Sequence, residues 1–221
     1  MKRLLDLALA VPVALATAPL VAALAAAVKL TSPGPAFFVQ ERVGRGRRPF
    51  RLFKLRTMVN GADRRGPQVT SAGDARITPL GKLLRGTKLD ELPQLWNVIR
   101  GDMSIVGPRP ESPRYVAHYR ADWLALLDVR PGITDLASLV FRDEEELLAG
   151  VHDRERAYVE AVLPAKLALA LRGAAAMSAT SDLRVIAETL AVVLRLVDLH
   201  DHEALVDARR AIAALEPGGR V

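Results

Sequence analysis

Residues 7–28 read LALAVPVALATAPLVAALAAAV, with no charged side chain and Thr17 as the most polar member. At 1.5 Å per residue, a helix of that length spans roughly 33 Å, enough for a bilayer core of about 30 Å. A cleaved signal peptide would share the basic start, Lys2 and Arg3. The apolar run is long for one, however, and the best small-residue site, Ala16-Thr17-Ala18, would put Pro19 directly after the cut. A straight crossing conflicts with charge. Lys2 and Arg3 flank one end and Lys29 the other, followed by Arg42, Arg45, Arg47, Arg48, Arg51, Lys54 and Arg56. The positive-inside rule wants both flanks in the cytoplasm. A helix that enters, bends and returns satisfies it. Pro19 supplies the break, because it removes a backbone donor and clashes with the carbonyl four residues earlier. Pro12 is a second possible kink. Asp6 is expected at interface level, where a carboxylate is tolerated.

Outward from this run, the breakers Thr31-Ser32-Pro33-Gly34-Pro35 end the helix. Residues 36–40 read as a short strand. Residues 49–56 alternate apolar and basic side chains, as a half-exposed strand does. A Gly-, Asp- and Arg-rich loop over 60–74 precedes helices near 79–85 and 90–100, the second closed by Gly101. Pro108, Pro110, Pro113 and Pro131 mark turns around an expected helix over 114–127. The Ala- and Leu-rich remainder from Glu144 reads as helical, with Ser181 capping a helix over 182–199. The fold class is therefore α/β, mostly α. It comprises a re-entrant membrane helix (1–30), a small catalytic domain (31–143) and a C-terminal helical segment (144–221) packed on that domain or on the membrane interface.

Half of the 221 residues are hydrophobic, and 31 Lys plus Arg face 25 Asp plus Glu, for a net charge of +6. Disordered, collagen-like and disulfide-stapled classes are excluded. With no cysteine, zinc ribbons, thiol nucleophiles and iron–sulfur clusters drop out too. A pI near 10.0 favours anionic partners: lipid headgroups, phosphates or nucleic acid. The four histidines show no metal spacing, and no P-loop, GxGxxG or Ser-His-Asp arrangement is present.

The densest chemistry lies between Lys88 and Glu111. Pro93 is harmless only near a helix start, which puts Asp90 and Glu91 in the first turn. There the helix dipole favours an ionised carboxylate, and free amides can hold a phosphate. Such an aspartate could attack phosphorus if metal and arginines screen the repulsion. On spacing alone, the plainer alternative is that Asp90 is an N-cap and Glu91 a solvated acid. Lys54 and Arg56 share a strand face and are candidates for phosphate or for lipid headgroups. Arg85 reads as a helix C-terminal charge. Arg109, fixed between Pro108 and Pro110, suits two-point phosphate recognition.

The ordered set of motifs resembles the bacterial monotopic phosphoglycosyl transferases, the sugar transferases of exopolysaccharide, capsule and glycan assembly. It includes the Pro-broken apolar helix, Gln40-Glu41-Arg42-Val43-Gly44, Phe53-Lys54-Leu55-Arg56-Thr57-Met58 and Thr78-Pro79-Leu80-Gly81-Lys82. It continues through Leu89-Asp90-Glu91-Leu92-Pro93-Gln94-Leu95, Asn97, Gly101-Asp102-Met103-Ser104, Val106-Gly107-Pro108-Arg109-Pro110 and Arg130-Pro131-Gly132-Ile133-Thr134. The resemblance covers residues 2 to about 134 and reverses the plainer reading of Asp90.

It implies transfer of a sugar-1-phosphate from a nucleotide diphosphate sugar, a UDP-sugar in the first instance, to polyprenyl (undecaprenyl) phosphate, with Mg2+. Asp90 is implied to form a covalent phosphosugar intermediate. Glu91 is implied to assist acceptor deprotonation or to join Asp90 in binding metal, and Arg85 and Arg109 to bind phosphate. The expected location is the cytosolic face of the bacterial inner membrane, against anionic phospholipid. No nucleic-acid partner is expected, and a homodimer remains open. Two departures stand out. Ala18 replaces a frequent Ser before the helix-breaking Pro19, so no hydroxyl satisfies the freed carbonyl. After Thr134 the common Gly-Trp-Ala-Gln and Asn-Gly-Arg give way to Asp135-Leu136-Ala137-Ser138 and Phe141-Arg142-Asp143-Glu144-Glu145-Glu146, from which no role carries over. The chain starts at the membrane segment, as a minimal member would. Rival readings are a non-catalytic module for anionic lipid and a scaffold of polysaccharide assembly; the intact Asp90-Glu91 pair argues against both.

Overall fold

The apolar run forms one 30-residue helix, α1 (Lys2–Thr31), in a computed structural model that describes residues 2–197 and 199–215. Among the described residues it alone is long and apolar enough to cross a membrane. It stays helical through Pro12 and Pro19, so Pro19 does not interrupt it as expected. Both ends are fastened to the same body. Arg3 donates to the carbonyls of Val98 and Ile99 at 2.5 and 2.8 Å. Asp6 lies inside the protein instead of at an interface. Its carboxylate accepts from Ser104 Oγ at 2.8 and 2.9 Å and from Ile105 N–H at 3.0 Å, which offsets the cost of burying it. At the other end, Val28 packs with Leu55 and Leu84. The side chains between, residues 11–20, are mostly exposed.

The next segment forms an antiparallel hairpin of β1 (Phe37–Val43) and the alternating β2 (Pro49–Leu55), with Phe37 opposite Leu55 and Val43 opposite Pro49. Its turn requires the positive φ that Gly46 supplies (67°). Helix α2 (Pro79–Thr87) starts at a Thr78 cap that accepts from Gly81 N–H at 3.0 Å, with Pro79 in the first turn. Gly81 lets this helix lie directly on the chain at Thr57: a Cβ there would come within 1.9 Å of the Thr57 carbonyl oxygen. We expect Gly81→Ala to cost at least about 1–3 kcal/mol, because backbone cannot yield as a side-chain tip can. A melting temperature equal to wild type in thermal denaturation would refute this close approach.

Helix α3 (Gln94–Arg100) is locked onto β2 by fully buried Asn97, which donates to the Arg51 carbonyl at 2.7 Å and accepts from Phe53 N–H at 3.2 Å. Strand β3 (Ser104–Val106) pairs in parallel with β4 (Gly132–Thr134). The single helix expected over 114–127 is instead α4 (Pro113–Val116) and a separate 3-10 turn, Trp123–Asp128. Tyr115, Trp123 and Leu126 all enter one core, and their packing overrides local helix preference.

Short helices α5 (Leu136–Val140) and α6 (Glu144–Leu147) follow. A continuous helical run then comprises α7 (Arg154–Ala157), a π turn (Tyr158–Val162) and α8 (Leu163–Ala175). Helix α9 (Ala179–Val193) begins at a Ser178 capping box, three residues before the expected cap, with Ser181 inside it as the reciprocal partner. It also stops short of 199. Helix α10 (Glu203–Leu215) completes the described chain; 216–221 of the C-terminal segment lie outside the described residues. Leu163, Leu167, Leu205 and Ile212 pack with Tyr115, Trp123 and Phe141 in one core. The architecture is mixed α/β, mostly helical, with one long apolar N-terminal helix.

Candidate active site

A cavity of about 440 Å³ opens between the hairpin, α2, the Leu89–Glu91 turn and the C-terminal helices. Asp90 and Glu91 reach it from that 3-10 turn, which precedes α3. The expected placement in the first turn of an α-helix is therefore corrected: Pro93 sits just ahead of Gln94, so the α-helix starts after the acidic pair. The expected cause of Asp90's ionisation changes with it. Asp90 is 6% exposed, and its Oδ1 is buried with no hydrogen-bond partner. Burial pushes its pKa up, against the pull of Lys54, and the Glu91 charge adds to the rise.

Glu91 has the opposite surroundings. Lys54 Nζ donates to its Oε1 at 2.9 Å. Arg109 spans both oxygens, Nη2 to Oε1 at 2.6 Å and Nη1 to Oε2 at 3.3 Å, and reaches the Ile133 carbonyl at 3.4 Å. Burial alone would raise the Glu91 pKa, but the Arg109 and Lys54 charges outweigh it and hold the carboxylate well below its usual range. Burial pulls the Lys54 ammonium down while Glu91 pulls it up, and Glu91 raises the Arg109 guanidinium further. The two-point recognition expected of Arg109 is thus directed at a carboxylate in this state.

The other expected cations separate. Arg85, from α2, donates Nη1 to Thr57 Oγ1 at 3.2 Å and Nε to Glu145 Oε1 at 2.8 Å, at the cavity wall. Arg56 is 5% exposed and donates to the carbonyls of Ser32 and Pro33, both at 2.6 Å. It fastens the end of α1, so its main donors are committed to backbone and not directed at a phosphate. Pro19 lies in the exposed stretch of α1, away from these contacts.

Several wall residues drew no functional reading from the sequence. Lys88, held at φ 58°, donates to the Arg142 carbonyl at 3.1 Å. Glu144, Glu145, Tyr158 and Lys166 come from helices that read only as Ala- and Leu-rich. The acidic run at 143–146 was the one available hint, since charges on an otherwise apolar segment need partners.

Asp90 offers a hard divalent cation an oxygen that no hydrogen bond occupies. Glu91 fits less well, because its oxygens already accept from Lys54 and Arg109. Among the described residues no group of three or more His, Asp or Glu could hold a metal unaided. A magnesium ion held by Asp90 would need most of its oxygen ligands from outside these side chains.

The family described as bacterial sugar transferase matches residues 1–196. The UDP-N-acetylgalactosamine-undecaprenyl-phosphate N-acetylgalactosaminephosphotransferase of Aeromonas hydrophila is 42% identical over 142 residues, 63% of this chain and 34% of the relative. The UDP-glucose:undecaprenyl-phosphate glucose-1-phosphate transferase of Caulobacter vibrioides is 48% identical over 143 residues, 62% of this chain and 53% of the relative. A protein of that name from Escherichia coli strain K12 is 40% identical over 159 residues, 70% of this chain and 34% of the relative. The chain spans between about a third and about half the length of these relatives.

Proposed function

Because the chain belongs to the bacterial sugar transferase family, we propose that it transfers a sugar-1-phosphate from a UDP-sugar to undecaprenyl phosphate, an opening membrane step of exopolysaccharide, capsule or glycan assembly. The observation that carries this reading is Asp90. A buried carboxylate with one oxygen free of any hydrogen bond, at a cavity ringed by Lys54, Arg85, Lys88 and Arg109, is costly for stability and well suited to phosphorus chemistry.

In the first step an Asp90 oxygen attacks the sugar-bearing phosphorus. An Asp90–O–P bond forms, the bond to the bridging oxygen breaks, and its electron pair leaves on UMP. In the second, an undecaprenyl phosphate oxygen attacks the same phosphorus and releases the Asp90 carboxylate. Arg85 and Arg109 hold phosphate oxygens, Arg109 exchanging its Glu91 contact for them. Before the donor binds, Glu91 holds Lys54 and Arg109 at the cavity; once Arg109 passes to phosphate, Glu91 is released to assist deprotonation of the acceptor. When bound at Asp90, magnesium screens the charge of the diphosphate.

The membrane arrangement in this reading is supported by the packing of α1. Both ends of α1 pack on one body, which supports a re-entrant helix, with its exposed middle dipping into the cytosolic leaflet of the inner membrane. A re-entrant path needs a bend, and Pro19, with the Thr17 hydroxyl bonded back to the Val13 carbonyl at 2.7 Å, is the place in the exposed stretch that favours one. Phe37 and Phe38, 42% and 38% exposed, line the cavity near the Arg56-held end of α1 and suit entry of a lipid acceptor. The basic flanks suit anionic phospholipid.

The test is a panel of nucleotide sugars offered with undecaprenyl phosphate and Mg2+, scored by nucleoside monophosphate release. Release from no UDP-sugar would end this reading. Topology has its own test, helped by the absence of cysteine. In intact cells, single Lys2→Cys and Arg45→Cys variants should both resist a thiol reagent confined to the periplasm. Labelling of Lys2→Cys alone would restore a straight crossing.

A further inference from the structure

The cavity extends past Asp90 to a wall that no motif marks. Tyr158 opens the π turn, and Lys166 follows eight residues later on α8. On an unbroken α-helix, positions eight apart differ by about 80° around the axis, from about 3.6 residues per turn. A π turn takes up about one extra residue and closes that offset to roughly 20°. Both side chains therefore reach the cavity wall at one place. Lys166 Nζ donates to the Tyr158 hydroxyl oxygen at 3.2 Å and lies 5.1 Å from its ring centroid. It also donates to Glu144 Oε2 at 2.7 Å. The Tyr158 hydroxyl donates to Glu111 Oε1 at 2.8 Å, and the second Glu111 oxygen accepts from Arg42 at 3.3 Å.

Tyr158, Lys166 and Glu111 are all buried. Taking such a set out of water is unfavourable compared with apolar residues of similar volume, so it is poor evidence of a purely structural fastening. π turns, moreover, are frequent at functional sites. Resting on the nucleotide-sugar reading of the cavity, we propose that Glu144, Lys166 and Tyr158 form a subsite for vicinal hydroxyls of the donor. Each sugar hydroxyl both donates and accepts. The Glu144 oxygen not used by Lys166 supplies an acceptor, and Lys166, whose remaining contact is a longer ion pair with Glu111 Oε1 at 3.7 Å, turns its third ammonium proton to the sugar. The diphosphate is held by the cations around Asp90, and the hydroxyls are read at this wall. The C-terminal helices thus take part in donor recognition. The diol has two sources in a UDP-sugar, the hexose and the ribose.

Calorimetric titration of the full chain in lipid nanodiscs with Mg2+ distinguishes them. The probes are UDP-glucose, UDP, 2′-deoxy-UDP and pyrophosphate; the proteins are wild type, Lys166→Met, Glu144→Gln and Tyr158→Phe. We expect Lys166→Met and Glu144→Gln to weaken UDP-glucose binding about tenfold or more, with pyrophosphate unchanged. Loss confined to UDP-glucose assigns the hexose. Loss shared with UDP but absent from 2′-deoxy-UDP assigns the ribose. Unchanged UDP-glucose binding, or a loss extending to 2′-deoxy-UDP or pyrophosphate, overturns the subsite. Tyr158→Phe keeps the ring and drops one hydroxyl; should the charge variants misfold, a weakening of UDP-glucose binding in this variant alone carries the proposal, and wild-type affinity sinks it. A wild-type chain that binds pyrophosphate but neither UDP nor UDP-glucose overturns the donor reading itself, a result separable from failure of the subsite alone.

Discussion

Asp90→Asn should abolish turnover, by on the order of 10³-fold or more, while leaving the protein at least as stable as wild type. The two effects have one cause. Burial raises the Asp90 pKa in the folded chain, so the native state loses stability as pH rises from the unfolded carboxylate value through the raised folded one. At neutral pH an uncharged asparagine removes that penalty. The melting temperature should hold or rise as activity disappears. Radiolabelled phosphosugar should no longer be trapped on the protein, and wild type should release UMP before any acceptor is added. For the free enzyme, the acid limb of kcat/KM should lie above the ordinary aspartate range, since the carboxylate must be ionised to attack. Normal turnover by Asp90→Asn, or UMP release only with both substrates present, would show that Asp90 is not the nucleophile.

The elements legible in the sequence were those whose signal is local. The apolar run, the alternating strand read over 49–56 and the helix read from Pro79 appear with bounds close to those read from pattern, while the first strand runs three residues past its expected end. Lys54, Arg85 and Arg109 were legible as cations to set beside the acidic pair, but their contacts with Glu91, Thr57 and Glu145 were not. What escaped was set by long-range packing. Asp6 reads as an interface charge until Ser104, far along the chain, supplies its donor. Arg56 reads as a phosphate ligand by its strand face, but the carbonyls at the end of α1 claim it. Glu91 and Asp90 are neighbours of one chemical type. Their divergence depends on which of them meets Arg109 and Lys54, a fact of tertiary geometry. The π turn could not be read from helical periodicity, because it is a departure from that period.

Arg109→Lys should lower kcat/KM about ten- to a hundred-fold, equivalent to about 1.5–3 kcal/mol for a charged hydrogen bond. The reason is shape, since net charge is kept. Arg109 touches both Glu91 oxygens and the Ile133 carbonyl from one planar group, and a lysine offers a single compact charge. Two origins of the loss can be separated. If Arg109 acts only by holding Glu91, combining Arg109→Lys with Glu91→Gln should cost no more than the worse single change. If its fork passes to a phosphate during the reaction, the double variant should be clearly slower than either single one, because two distinct interactions are then removed. We expect the second pattern, since the cavity bordering Arg109 also holds Arg85, Lys88 and the unpartnered oxygen of Asp90. Near-normal kinetics in Arg109→Lys would instead reduce this arginine to a structural counter-charge for Glu91.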